Sequence, residues 1–457
     1  MAKYFGTYGV RGKLGLLTPE FVSGMCAAFA AYIGGGKVVV GTDTRTSREM
    51  VKHAAIAGLI SAGCEVVDLG VAASPTVEFE AKRSGAAGGV IVTASHNPPE
   101  WNALKLMGRE GIGISREKGE AIEKVFESGK IRRAEWSELK EVARYELASR
   151  EHADAILAKT DVKAVKKRAP FVVLDCGNGV AGAFAPRLFR ELGCKVVTLN
   201  AQADGFFPGR NSEPTRENVS GLVACVKALS ADLGIAWDGD GDRVIFVDEK
   251  GGYVWGDKSF ALCAKIRLRE GKGAVVTTVA TGNVVKEVAE KAGGRIDYVP
   301  VGAPYIAERM AKTGAVLGGE EVGGVVWPEI SFGKDGFMTA AKVVEETCRA
   351  GKPLSRLIGE LPGFFNAKSK VDAGSGDKAR TLAAIRKEFS REPGARANVV
   401  DGIRLDFPGG AWVIARPSGT ENYFRVFSEA RTRDEADALL SKYKRKVEEI
   451  VGRTGRK

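Results

Sequence analysis

Three stretches of this chain repeat one another in kind, and that repetition limits the folds open to it more than any other feature. Each opens with a short apolar strand: KVVVGTD at 37, PFVVLDCGN at 170 and GAVVTTVATGN at 273. A helical stretch follows, then a small-residue turn into a second strand, AGCEVVDLG at 62, LGCKVVTLN at 192 and AGGRIDYVP at 292. Gly63, Gly193 and Gly293 fall where a helix C-cap needs positive φ. After another helical stretch each repeat reaches a third strand with unusual residues at its end, in GGVIVTASHNP, ADLGIAWDGDGDR and GAVLGGEEVGG. Strands alternating with helices at this spacing build βαβ units and a mixed or largely parallel sheet. Ligands of such sheets gather beyond the carboxyl ends of the strands, so three related domains would each bring one loop to a shared cleft.

The 457 residues exceed what one core usually holds. The expected domains are 1–150, 151–256, 257–364 and 365–457. Residues 1–20 precede the first repeat and contain FGTYGVRG, a glycine-rich turn ending in Arg11. Helical stretches are expected around 115–128 and 134–160, and DEKGGYVWGDKS predicts a hairpin followed by a helix start near Asp257. Beyond about 365 the pattern becomes strand (AKSKVD), helix (DKARTLAAIRKEF), three strands (NVVDGIRLDF, AWVIARP, NYFRVFSEA) and a terminal amphipathic helix from about 433. That order, with Gly409 and Gly410 at a hairpin turn, reads as an α+β domain with an antiparallel sheet. The fold class is therefore three related mixed-sheet α/β domains plus a C-terminal α+β domain around one cleft.

Several classes of function drop out. No apolar run approaches the roughly 18 residues of a spanning helix, and MAKYFGTYGVRG lacks the order of a signal peptide, so no membrane partner and a cytoplasmic location are expected. Cys26, Cys64, Cys176, Cys194, Cys225, Cys263 and Cys348 show no C-x-x-C spacing, which argues against a zinc or redox site and for small core residues. A net charge of +11 favours acidic partners such as phosphates or nucleic acid. Aromatic residues are only 8% and dispersed, and the basic C-terminal run KYKRKVEEIVGRTGRK has helical spacing with interspersed Glu, so nucleic acid is not expected. Nothing in the chain fixes an oligomeric state.

Four strings carry candidate chemistry. VTASHNPPEWNALK places Ser95 where a buried strand ends, with two prolines forbidding an immediate helix; such a string is also an ordinary turn. WDGDGDR alternates Asp238, Asp240 and Asp242 with glycines, so that three carboxylates turn toward one point and call for a hard cation, Mg²⁺ or Ca²⁺. An EF-hand loop is the competing arrangement: Glu249 fits its twelfth position, but Arg243 stands where its sixth needs Gly. GGEEVGG carries Glu320 and Glu321, acceptors suited to sugar hydroxyls or to a plain acidic turn. RPSGTENYFR joins the fixed cation of Arg416 to the hydroxyls of Ser418 and Thr420 and the exposed backbone at Gly419, a phosphate nest.

Taken in order, these four motifs resemble the set of the phosphohexomutases, the family of phosphoglucomutase, phosphomannomutase and phosphoglucosamine mutase, from Phe5 to Glu429. The resemblance implies that Ser95 is the phosphoserine and that Asp238, Asp240 and Asp242 hold one Mg²⁺ together with an oxygen of that phosphoserine. It implies that Glu320 touches the sugar and that Arg416, Ser418, Gly419 and Thr420 hold the non-reacting phosphate. Lys105, ten residues past the serine, aligns with a family lysine and is the candidate general acid/base. Arg11 and Arg243 would place charge near the transferring phosphoryl group. His96 would either orient the loop or move a proton.

The implied reaction interconverts hexose 1-phosphate and hexose 6-phosphate through a hexose 1,6-bisphosphate, which also serves as activator. Positioning and charge neutralisation suffice for such a transfer. Val322, Gly324 and Asn422 depart from common family patterns, Gly324 standing where others carry His, which makes tolerance of both glucose and mannose the expectation. Phosphoglucosamine mutase and phosphopentomutase are the alternatives within the class, and a noncatalytic sugar-phosphate-binding protein is the one outside it.

Overall fold

The computed structural model describes residues 3–374, 376–418 and 421–455. In domain I, β1 (Val10–Lys13), β2 (Lys37–Thr42), β3 (Glu65–Val71), β4 (Gly88–Val92), β5 (Trp101–Met107) and β6 (Val142–Arg144) form one sheet in the order β1-β5-β4-β2-β3-β6. Domain II orders β7 (Phe171–Asp175), β8 (Lys195–Leu199), β9 (Leu233–Trp237), β10 (Val244–Asp248) and β11 (Tyr253–Val254) as β11-β10-β9-β7-β8. Domain III orders β12 (Ala274–Thr278), β13 (Arg295–Val299), β14 (Leu317–Glu320) and β15 (Gly324–Val326) as β13-β12-β14-β15. Gly63, Gly193 and Gly293 have φ of 86°, 110° and 76°, the left-handed turn expected between helix and second strand.

The repeat goes one strand further than the sequence suggests. In each domain the first strand pairs in parallel with the second and third. The third then turns back into an antiparallel partner: β4 into β5, β9 into β10, β14 into β15. The loops at 93–100, 238–243 and 321–323 are thus one and the same hairpin turn on three sheets. This also removes the EF-hand, because the acidic loop returns as strand β10 rather than entering a helix.

Domain IV is an antiparallel sheet of β16 (Phe365–Asp372), β17 (Arg396–Asn398), β18 (Ile403–Asp406), β19 (Trp412–Pro417) and β20 (Tyr423–Ala430) in the order β16-β20-β19-β18-β17. The helices Lys378–Phe389 and Arg433–Thr454 contribute to its core, with Ile385, Tyr443 and Val447 packed among Val413, Phe424 and Val426.

Several local expectations change. The stretch 134–160 is helical only at Ala148–Ala158; before it Trp136–Glu138 makes a 3₁₀ turn and Val142–Arg144 adds to the sheet edge beside β3. Pairing with an open edge has overridden helix propensity there. Arg11 lies within β1 rather than ending a turn. The run NVVDGIRLDF is split by a turn at 399–402 between β17 and β18. Cys26, Cys64, Cys176, Cys194 and Cys263 are buried, whereas Cys225 and Cys348 are only partly covered.

The domains are joined in two different ways. Domains II and III share one apolar core, in which Phe337 of the helix Gly336–Ala350 stacks on Trp237 (centroids 5.5 Å) and packs tilted against Phe184 (4.3 Å). Domain IV meets domain III through a small apolar cluster, Val279 with Trp412 and Ile414, and through polar contacts around the fully buried Arg404. Its guanidinium donates to Val279 O (2.9 Å), Thr281 O (3.0 Å) and Asn283 Oδ1 (2.8 Å) and lies 4.2 Å from the Trp412 ring. Arg404→Ala would leave those acceptors dry, at a cost on the order of 3 kcal/mol. Calorimetry is expected to split the melt, with domain IV unfolding first; one transition at the wild-type temperature would contradict this.

Candidate active site

Ser95 lies three residues beyond β4 with φ at 52°, a left-handed conformation that side chains rarely adopt. Such a backbone costs on the order of 1–3 kcal/mol and persists where neighbours over-determine it. Here they do. Its N–H donates to Thr93 Oγ1 (2.9 Å), and its carbonyl accepts from Ser212 Oγ (2.9 Å) and from Arg45 (2.9 Å). Arg45 is fully buried and donates also to the carbonyls of Asn97 (2.6 Å), Pro98 (2.5 Å) and Trp101 (3.0 Å). Asp43 completes the clamp, accepting from Arg45 Nε (3.0 Å) and Thr93 Oγ1 (2.6 Å). Every turn of the serine loop therefore hangs on one guanidinium rooted at the end of β2.

The serine hydroxyl donates to Asp238 Oδ2 at 2.6 Å, joining domain I to domain II. Asp238, Asp240 and Asp242 are buried, with ligand oxygens all within 4.8 Å of one another. Asp240 Oδ1 and Asp242 Oδ1 are buried without a hydrogen-bond partner. Burial, then repulsion from Asp240 and Asp242, pushes the Asp238 carboxyl well above the usual carboxylate range. Orphaned hard oxygens sharing one spot fit a divalent cation such as Mg²⁺. Gly239 lets this loop close on the serine, since a Cβ there would lie 2.6 Å from Ser212 Oγ and 2.8 Å from Ser95 O.

Cations from neighbouring domains face the carboxylates. Lys105, on β5, donates to Asp240 Oδ2 (2.6 Å) and Asp242 Oδ2 (3.3 Å), and Ser74 Oγ donates to Asp240 Oδ2 (2.6 Å). Lys334 ties Asp242 (3.3 Å) to Glu320 of domain III (2.6 Å). The four domain families of phosphoglucomutase/phosphomannomutase match in sequence: alpha/beta/alpha domain I over residues 2–133, domain II over 150–252, domain III over 255–364 and the C-terminal domain over 368–446. The chain belongs to this family. A Thermococcus kodakarensis phosphoglucomutase/phosphomannomutase is 43% identical over 96% of this chain and 97% of its own length. A Methanopyrus kandleri protein, assigned as a probable phosphoglucosamine mutase, is 38% identical over 98% of this chain and 100% of its own length. Among solved structures, a Burkholderia thailandensis phosphoglucomutase/phosphomannomutase family protein superposes with a TM-score of 0.87 at 27% identity, covering 98% of this chain and 97% of its own.

The remaining expected residues of the mutase fall out unevenly. Arg11 donates to Asn97 Oδ1 (2.7 Å), so it braces the serine loop. The Arg243 backbone N–H donates to Asp238 Oδ1 (3.1 Å), while its guanidinium is taken by Glu213 (2.7 and 2.8 Å). Burial, then Arg243 and Arg11, hold the His96 imidazole well below its ordinary pKa. Burial draws the Lys105 ammonium down, but Asp240 and Asp242 outweigh it and keep its pKa above the ordinary value, so it stands charged. Arg416 pairs with Asp401 (2.9 Å) and Ser418 Oγ accepts from the Glu421 N–H (3.2 Å). Gly419 and Thr420 lie outside the described residues.

Arg45, Asp43, Glu213 and Lys334 were not singled out from the sequence. The first two sit in GTDTRTS at the end of β2, a strand end where charged residues could have been weighed. Lys334 carried no signal, since only the fold brings it to Asp242.

Glu78 is a further buried group, on the helix Ser74–Arg83, accepting from Tyr8 Oη (3.0 Å). Burial pushes its carboxyl up to about 8, with Lys105 opposing and Asp242 adding to the rise. In the unfolded chain a Glu titrates near 4.3, so between that pH and about 8 the folded state holds a proton that the unfolded state has lost. Stability from this group is therefore present at low pH and falls as pH rises through that window. In magnesium-free buffer the wild-type melting temperature is expected to drop more between pH 5 and 8 than that of Glu78→Gln; parallel curves would refute the assignment.

Proposed function

We propose that this enzyme interconverts hexose 1-phosphate and hexose 6-phosphate, acting on glucose and mannose phosphates through a phosphorylated Ser95 and a hexose 1,6-bisphosphate. The observation that carries this is the 2.6 Å hydrogen bond from the Ser95 hydroxyl to Asp238, which brings residues 143 positions apart into one site. Asp238, Asp240 and Asp242, with an oxygen on phosphorylated Ser95, would hold one Mg²⁺ per chain. When bound, that ion supplies positive charge to the transferring phosphoryl group.

The chain's own residues do the rest. Arg45 and Arg11 fix the serine loop so that the phosphoryl group on Oγ meets an incoming hydroxyl in line. Transfer breaks the Oγ–P bond and forms a P–O bond to the sugar. The sugar hydroxyl loses its proton and the serine oxygen regains one, so the proton count is unchanged. Lys105, charged and within reach of the carboxylates, is the group assigned to give the serine oxygen its proton and to be recharged by the proton the sugar hydroxyl loses, the return transfer running the same relay backwards. Glu320 faces the sugar and Arg243 adds charge near the transferring phosphoryl group, while Arg416, Ser418, Gly419 and Thr420 grip the other phosphate; the bisphosphate turns around between transfers, and added from solution it acts as activator by phosphorylating Ser95. Domain boundaries at 150, 256 and 364 and a cytoplasmic setting belong to the same reading, and among the described residues no helix is long and apolar enough to cross a membrane.

A second reading, phosphoglucosamine mutase, is favoured by relatives of that assignment at 37–39% identity. Comparing turnover of glucose 1-phosphate, mannose 1-phosphate and glucosamine 1-phosphate decides between them: the hexoses should lead, and a clear preference for glucosamine 1-phosphate would reverse the assignment. Ser95→Ala should lose on the order of 10⁴-fold or more in turnover while melting like wild type. Asp240→Asn should lose roughly 10²-fold or more and require more Mg²⁺ for half-activation, and an unchanged metal titration would remove Asp240 from the ligand set.

A further inference from the structure

A second cavity lies where domains II, III and IV meet, and none of the residues assigned to phosphoryl transfer lines it. It encloses about 570 Å³, within the size range of small-molecule sites. Arg216 and Tyr253 wall it from domain II, Lys258 of the helix Gly256–Glu270 from domain III, and Phe365, Lys368 and Arg433 from domain IV. It sits at the far end of domain IV from the phosphate string. The Ser418 N–H donates to Tyr423 O (2.8 Å), whereas Glu429, on the cavity wall, ends the same strand beside Asn366. The rise along β20 from Tyr423 to Glu429 sets these two ends roughly 20 Å apart.

Four cations ring the cavity, Arg216, Lys258, Lys368 and Arg433, and among the described residues none of them makes an ion pair or a side-chain hydrogen bond. Arg216 lies over the Tyr253 ring (5.0 Å), Lys368 over Trp255 (4.7 Å) and Arg433 over Phe365 (5.5 Å). A ring face holds such a group without using its N–H donors, so the donors stay open to an anion. The acids of the wall do not answer them. Asp257 Oδ1 accepts from the Gly282 N–H (3.2 Å), and Glu429 Oε1 accepts from the Asn283 N–H (2.7 Å) and Trp412 Nε1 (2.7 Å). Burial, then Glu429 and Glu321, pushes the Asp257 carboxyl well above the usual carboxylate range, and burial raises that of Glu429 as well. Glu217, exposed beside Arg216, is the remaining acid, so positive charge prevails.

Between the cations the wall is aromatic: Tyr253, Trp255, Phe364 and Phe365, the last of them 41% exposed. Aromatic faces and guanidinium planes both stack on flat heterocycles, whichever base these carry. A hexose ring or inorganic phosphate offers no such face. Unpaired cations on two different domains favour an anionic group longer than one phosphate.

We infer that this cavity is an effector site for a nucleoside diphosphate, with the base among the rings and the phosphates on Arg216, Lys258, Lys368 and Arg433, and that occupancy ties domain IV to domain II. The slowing of turnover that follows rests on the mutase reading, in which domain IV must yield while the bisphosphate turns; the binding does not.

The test is titration calorimetry of ADP, with UDP in parallel, into magnesium-free full-length protein. At least one of them should bind at a single saturable site, inorganic phosphate should bind far more weakly, and saturating glucose 1,6-bisphosphate should change the nucleotide affinity by less than about twofold. Arg216→Glu and Arg433→Glu reverse exposed, unpaired cations and should melt like wild type. Each should weaken the nucleotide on the order of tenfold or more and leave turnover without nucleotide unchanged. With magnesium in excess, the saturating nucleotide should lower wild-type kcat more than it changes KM. Binding of neither nucleotide, undiminished affinity in both variants, equal binding of inorganic phosphate, displacement by the bisphosphate, or full turnover at saturation would each overturn the inference. Protein that binds the nucleotide in an Arg433-dependent way but turns over no hexose phosphate would sink the mutase reading and sustain the site.

Discussion

Three buried carboxylates within 4.8 Å of one another are the constraint to which the rest of this molecule answers. At an effective dielectric near 20, two unit charges so placed repel by roughly 4 kcal/mol, before any cost of burial. No single domain supplies the compensation. Lys105 and Ser74 come from domain I, Lys334 from domain III, and Arg243 from the acidic loop's own far end. Leaving any one domain out would leave charge uncompensated in a dry place, so the electrostatics of one hairpin turn hold the first three domains at a fixed distance. A divalent cation would relieve the same repulsion, which is why a site so built is receptive to one.

The repeated hairpin explains how the pieces arrive. Because the third strand of each sheet turns back antiparallel, its loop is anchored on both sides by ladder hydrogen bonds and cannot wander as an ordinary strand-to-helix loop would. Ser95 gains a second anchor in Arg45, whose several carbonyl partners set the loop in a backbone conformation that serine alone would not choose. Precision at the serine is thus achieved from the neighbouring strand end.

Much of this was legible in the chain and some was not, for identifiable reasons. The alternation of strand and helix, the three C-cap glycines and the loops carrying Ser95, Asp238 and Glu320 are local patterns, and local patterns survive in sequence. The antiparallel return of WNALKLM as β5 was missed because two prolines and a mixed polar-apolar run hide its period. Residues 142–144 were read as helix because edge pairing is decided by a neighbour, not by propensity. Lys334, Glu78 and Glu213 matter through what lies across the cleft, and no spacing rule reports on that. Arg243 was expected to place charge near the transferring phosphoryl group; Glu213, thirty positions away, takes its guanidinium.

The two kinds of domain junction bear on turnover. Domains II and III share an apolar core around Trp237 and Phe337, and separating them would expose large aromatic faces to water. Domain IV is tied through the buried hydrogen bonds of Arg404, Asn283 and Glu429 and through a much smaller apolar cluster, Val279 against Trp412 and Ile414. A reaction whose bisphosphate must turn around needs one wall that can yield while the reacting centre stays fixed. The carboxylates, Ser95 and Lys105 lie on the first three domains, and Arg416 and Ser418 lie on the fourth, whose apolar junction is the smaller. The anchor proposed for the non-reacting phosphate is therefore carried by the domain that holds none of the groups around the transferring phosphoryl group.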